Sequence, residues 1–246
     1  MKLFYSPFHF FVHKVLVSIH EVGLWDDITF VPTYPFNNRE GENQGDKYSI
    51  ALVNPLDKVP TLVLDDGQAI YASQAIVECL DSMSKSGKKL YPEKGPLRWD
   101  AITRLTIADT IFESTVLLMM ECWNPEDKRR IEYFEWIWPK IFRGVDKLEA
   151  SCKRGFDDFD IGHAAMLHAI SFVDFRVNFY DEKDALHPDF DCFENRPNLE
   201  AWFKDAIQRP SVTNHYNVDY EGDDSAEFLQ NNVQEVLELQ KRNGTL

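Results

Sequence analysis

Cysteine is scarce in this chain, and what there is stands far apart. The 246 residues contain four, Cys79, Cys122, Cys152 and Cys192, with no Cys-x-x-Cys pair. That spacing argues against a disulfide framework or a zinc site and for separate thiols in a reducing compartment, and no metal is expected. Basic residues are outnumbered as well: 26 Lys and Arg face 41 Asp and Glu, a formal charge of −15. No basic stripe offsets this field, so nucleic acid and anionic membrane surfaces are unfavourable partners. No run approaches the ~18 uncharged apolar residues of a membrane span. The opening MKLFYSPFHF lacks the small-residue cleavage site of a secretory signal. A cytosolic protein is the expectation.

What remains is an ordinary globular composition, 44% hydrophobic and 27% charged, enough for one large domain or two small ones. KLFYS, ended by Pro7, reads as a first strand, and Phe11, Val12, Val15, Leu16, Ile19 and Val22 then recur at helical spacing up to Gly23. A second strand follows over 27–33. After a polar stretch from Tyr34 to Tyr48, the runs 61–64 and 68–71 flank Asp65-Asp66-Gly67, a hairpin signal. Ser73 reads as the N-cap of the next helix. From Pro96 onward long helical patterns dominate, over 99–121, 128–152, 164–175 and 198–208. Small, polar and basic residues between Ser82 and Pro96 read as a linker. Beyond Asp219 the charge is acidic, and Val233, Val236, Leu237 and Leu239 allow a short helix, either a solvated appendage or a cap over a groove.

One segment stands out, YSPFHFFVHKV from Tyr5 to Val15, with His9 and His13 a helical turn apart. Together with NPLDKVPTLVLDDG (54–67), ASQAIVECLD (72–81), DIGHAAMLHAISFVDFR and RPNLEAWFKDAIQRPS, it resembles the glutathione transferase family over almost the whole chain. The look is that of the bacterial and fungal serine-type members. The resemblance implies a thioredoxin-like α/β domain over 1–84, a linker over 85–96, an all-helical domain over 97–218 and an acidic tail over 219–246. It also implies a homodimer that binds glutathione and a hydrophobic second substrate, with glutathione as co-substrate.

Roles follow from the same resemblance. Val59 would pair its backbone with the cysteinyl unit of glutathione, held by a cis bond to Pro60, and Ser73 and its helix N-terminus would take the γ-glutamyl carboxylate. Lys58 could approach the glycyl carboxylate, although an exposed lysine in a turn is also simply solvated. Phe8, Phe10, Phe112, Val116 and Met119 are candidates for the apolar wall of the second pocket; the same stripe also suits a core.

The family pattern breaks in three places. His9 stands where serine-type members place Ser or Cys, His13 where arginine is usual, and Ala72 where an acid would hold the γ-glutamyl ammonium. Asp109 of a partner subunit is a substitute by location. An imidazole can do the hydroxyl's work, since lowering a thiol pKa from about 8.5 by two units needs about 2.7 kcal/mol. One or two hydrogen bonds to a charged acceptor supply roughly 1.5–3 kcal/mol each. Tyr5 and Ser6 are reserve donors. His163, three residues after Asp160, reads as part of a capping pair, and His168 as core or interface. A binding or regulatory protein that has lost catalysis stands beside the enzyme reading. A thiol-disulfide oxidoreductase would need a cysteine in the turn, and SPFHF has none.

Overall fold

A computed structural model describes residues 1–7, 9–33, 50–153, 158–179, 190–216 and 225–245. The chain divides into two compact units, residues 1–89 with 214–246, and residues 90–213.

The first unit opens with β1 (Lys2–Tyr5) and α1 (Phe10–Glu21), followed by β2 (Thr29–Pro32), β3 (Thr61–Val63), β4 (Ala69–Tyr71) and α2 (Ser73–Ser82). Pro7 has no N–H to continue the ladder, so the strand ends and a turn begins. In α1 the residues Val12, Val15, Leu16 and Ile19 are all fully buried, the stripe that helical spacing requires. The helix stops at Gly23, whose φ is +71°. Its N–H donates to the His20 carbonyl at 3.1 Å, and the Leu24 N–H donates to the Ile19 carbonyl at 3.0 Å. That pair of bonds is a Schellman ending, which favours glycine because a Cβ resists positive φ.

The strands run in the order β2-β1-β3-β4. β1 lies parallel to β2, with Leu3 opposite Phe30, and antiparallel to β3, with Leu3 opposite Leu62. β3 and β4 form the hairpin expected at Asp65-Asp66-Gly67, with Gly67 at φ +92°. Alternation puts Leu3, Tyr5 and Leu62 on one face, toward the helix pair α1 and α2, and Phe4, Val31 and Val63 on the other.

That second face is covered by the C-terminal segment. A helix over Ala226–Asn243, labelled α8 below, begins at the N-cap Ser225, whose Oγ accepts from the Phe228 N–H at 3.1 Å. It ends at Gly244 in the left-handed conformation. Val233 and Val236 join Phe4, Val31, Ile50, Val53 and Val63 in one buried cluster, with Phe228, Leu229 and Leu237 at its margin. Of the two roles open to this segment in the sequence, the structure shows a packed cover. Burying each valine stabilises by about 1.5 kcal/mol or more.

The second unit holds α3 (Pro96–Cys122), α4 (Ile131–Cys152), α5 (Ile161–Phe179) and α6 (Pro197–Ala206), and the unit boundary at Thr213–Asn214 falls within α7 (Pro210–Tyr216). α5 is apolar on all sides through its first three turns and runs buried, packed along α3. Gly162 makes that approach possible: a Cβ there would lie 2.7 Å from the Ala101 carbonyl oxygen and 2.8 Å from the Arg104 Cβ. At the start of α5 the Asp160 Oδ1 accepts from the His163 N–H at 3.1 Å, and the His163 Nδ1 accepts from the Asp160 N–H at 2.9 Å. This is a reciprocal capping box with an imidazole in the place of a carboxylate. The Arg104 guanidinium pairs with the other oxygen of Asp160. His168 is buried in the same helix. The chain passes from the first unit to the second at Lys89–Leu90. No helix among the described residues is long and apolar enough to cross a membrane.

Candidate glutathione site

The turn after β1 is built by two backbone bonds. The His9 N–H donates to the Ser6 carbonyl at 3.1 Å, and the His9 carbonyl accepts from the Val12 N–H at 2.8 Å. His9 is therefore the N-cap residue of α1, with an extended backbone at φ −105° and ψ 112°. Its ring lies 6.0 Å from that of Phe11. Nδ1 is buried and has no hydrogen-bond partner among the described residues. A buried polar atom left so costs about 1–3 kcal/mol, an expense that a bound group would remove. Burial, and then the positive charge of Lys58, hold the imidazole below its ordinary pKa, so the ring is neutral at pH 7.

His13 sits one turn further along and is also buried. Its ring donates to the Pro7 carbonyl and lies 5.3 Å from the Phe10 ring. Burial lowers its pKa to about 4, the Pro7 bond opposing and His9 adding to the shift. His13 thus tightens the turn that carries His9. Tyr5 is buried with its ring edge-on to Phe30 at 5.9 Å, and Ser6 is buried beside it. Phe8 lies outside the described residues.

The Val59–Pro60 bond is cis, as the resemblance implies. Val59 is buried, and its N–H and C=O take no backbone partner among the described residues. The loop before it is organised by Asn54, fully buried, whose Nδ2 donates to the Lys58 carbonyl at 3.0 Å and to Thr61 Oγ1 at 2.9 Å. Asn54 was not singled out by sequence reasoning. The available signal was an Asx residue opening a turn, Asn54-Pro55, ahead of the Val-Pro-Thr block. Lys58 itself is exposed.

Ser73 is the first residue of α2 rather than its cap. Ala72 takes the N-cap position in an unusual conformation, φ +72° and ψ 122°, and accepts from the Ile76 N–H at 3.0 Å. This backbone turn carries the Ser73 hydroxyl away from a capping position, and no hydrogen bond to it is found among the described residues. A free hydroxyl and the first unpaired N–H groups of a helix form a site for a carboxylate.

The remaining candidates fall in different units. Phe10 is half-buried in the first. Phe112, Val116, Met119 and Asp109 lie on α3 in the second, where the Phe112 ring packs on Phe172 at 4.7 Å and Met119 is buried. Two cavities of the second unit, 230 and 170 Å³, are lined by none of the expected residues.

Comparison with known proteins gives this geometry its context. Residues 10–83 match the family model of the glutathione S-transferase N-terminal domain. A glutathione transferase family member from Pseudomonas fluorescens Pf-5, solved with bound glutathione, is 30% identical, covers 87% of this chain and 97% of its own, and superposes with a TM-score of 0.73. The chain belongs to the glutathione transferase family. The uncharacterised GST-like protein YibF of Escherichia coli K12 is 26% identical over 180 residues, 72% of this chain and 83% of that protein. A glutathione S-transferase from Methylobacillus flagellatus KT, solved with glutathione bound, shares the fold at 22% identity, with a TM-score of 0.72 over 87% of this chain and 98% of its own. The four-stranded mixed sheet with its flanking helices is accordingly the thioredoxin-like domain of this family, followed by the helical domain.

Proposed function

We propose that the protein binds glutathione in its thioredoxin-like domain and directs the glutathione thiolate at a hydrophobic electrophile, as a cytosolic homodimer acting in detoxification. The observation that carries this reading is the buried Nδ1 of His9, without a hydrogen-bond partner among the described residues, at the turn where the family presents its thiol-activating group. Val59, Pro60 and Ser73 supply the rest: an open backbone edge for the cysteinyl unit, and a free hydroxyl at a helix start for the γ-glutamyl carboxylate. His13 serves the site through the Pro7 carbonyl.

The chemistry asked of His9 is modest. A neutral imidazole donates one N–H to the sulfur, which is worth more to a thiolate than to a thiol. The positive charge of Lys58 favours the anion as well. The thiol proton leaves to solvent, and the thiolate forms the C–S bond while the electrophile either releases its leaving group with the bonding electron pair or, in an addition, takes the π electron pair and then a proton from solvent. Its low hydration and fixed position supply further acceleration.

The test is an ultraviolet thiolate titration of bound glutathione, in wild type and in His9→Ala. We expect a thiol pKa about two units below the free value in wild type, which is about 2.7 kcal/mol, and a return toward the free value in the variant. Binding with an unmoved pKa in both would turn the reading to a glutathione-binding or regulatory protein. Ala72, which leaves the γ-glutamyl ammonium without its usual acid, is the observation on that side.

A further inference from the structure

Helix α8 lies far in sequence from every candidate ligand-binding residue, yet it packs directly beneath the glutathione loop. Val233 and Val236 share their apolar cluster with Ile50 and Val53. The Ile50 carbonyl accepts from the N–H groups of Val53 at 2.8 Å and Asn54 at 2.7 Å. Asn54 in turn holds the Lys58 carbonyl and Thr61 Oγ1, accepts from the Leu56 N–H at its Oδ1 at 3.0 Å, and accepts from the Asp57 N–H at its carbonyl at 2.9 Å. One chain of contacts thus runs from α8 to the Lys58 carbonyl before Val59 and to the Thr61 hydroxyl after Pro60.

The helix is fastened on each side of that contact. Lys2 Nζ donates to Asn232 Oδ1 at 2.6 Å and pairs with Glu235 Oε2 at 2.9 Å. Gln240 Nε2 donates to the Gly67 carbonyl at 3.1 Å, and Asn243 Nδ2 to the Asp66 carbonyl at 2.7 Å. Gly67 allows this approach, since a Cβ there would stand 3.2 Å from Leu239 Cγ. By contrast, Ile50–Leu52 is a single 3-10 turn. So short a turn takes its position from its neighbours and not from its own hydrogen bonds.

We propose that α8 is a positioning element for glutathione binding: through Ile50 and Val53 it holds the Asn54–Thr61 loop in its binding geometry. The proposal rests on the glutathione reading above. When a binding-competent loop is only partly populated, apparent affinity falls by that fraction. Val233→Ala/Val236→Ala in the full chain is expected to weaken glutathione binding about fivefold by calorimetry, the loop being competent about one-fifth of the time. Hydrogen exchange of the Leu56 and Asp57 amides is expected to quicken without ligand, because the opening is local. Ile19→Ala, in the α1 core, controls for general destabilisation and is expected to change neither. If the double variant does not fold, Val236→Ala alone provides the milder case. Unchanged loop exchange and unchanged affinity in a folded variant would overturn the proposal, as would equal effects from Ile19→Ala. Absence of glutathione binding in wild type overturns the glutathione reading instead, and loop exchange then decides the coupling alone.

Discussion

His9 and His13 are one turn apart in a segment of aromatic residues, and burial lowers the pKa of both. Their partners separate them: the His13 ring donates to the Pro7 carbonyl, whereas the His9 Nδ1 has no partner among the described residues. For His13 the folded ring takes its proton near pH 4 and the unfolded ring near 6.5. Between those values the unfolded chain binds more protons, so stability is complete above about pH 6.5 and falls as the pH drops toward 4. The contribution lost is about 3 kcal/mol. In urea unfolding measured from pH 7 to pH 4, His13→Gln is expected to flatten the acid limb by about that amount. An acid limb identical to wild type would assign the loss to other groups. The presence of a histidine pair was legible in the sequence. Which ring was free was not, because that depends on a carbonyl placed by the turn.

The start of α5 shows the same logic in an element. The sequence places an acid three residues before a histidine, and the structure shows each side chain serving the other's backbone N–H. Asp160→Ala removes the cap and also strips Arg104 of its carboxylate partner, at an expected cost of roughly 3 kcal/mol in denaturant unfolding. His163→Gln retains an acceptor for the Asp160 N–H and is expected to cost under about 1 kcal/mol. Equal losses in the two variants would show that the reciprocal box is not what holds this end. Gly162, inside the same motif, answers to packing instead. Gly162→Ala drives a methyl into the Ala101 carbonyl and should destabilise by about 1–3 kcal/mol, read as a lowered Tm; an unchanged Tm would mean that α3 and α5 can part without penalty. Ser73 marks the limit of element reading. Its residue type suits an N-cap, but the positive φ of Ala72 begins the helix differently, and the hydroxyl has no hydrogen bond among the described residues.

At the scale of the molecule, a ligand that binds only the folded state raises its stability by mass action. Glutathione at a hundred times its dissociation constant should add about 2.7 kcal/mol to the first unit. Differential scanning fluorimetry would register this as an upward shift of several degrees. A transition indifferent to millimolar glutathione would count against the site.

Strand and helix patterns, the hairpin at Asp65-Asp66-Gly67, the change from an α/β to an all-helical region and the family resemblance were all contained in the sequence, because each depends on neighbours or on short periodicities. Three matters were decided only in three dimensions. The C-terminal segment became a cover for the sheet because Phe4, Val31 and Val63 present an apolar face that no local pattern can match to Val233 and Val236, at least 170 positions away. Asn54 became the centre of the Val59 loop because its amide meets groups brought round by the turn. His9 came to hold a buried nitrogen with no partner among the described residues because burial and pairing are properties of assembled surroundings, and a sequence lists only the residue that will meet them.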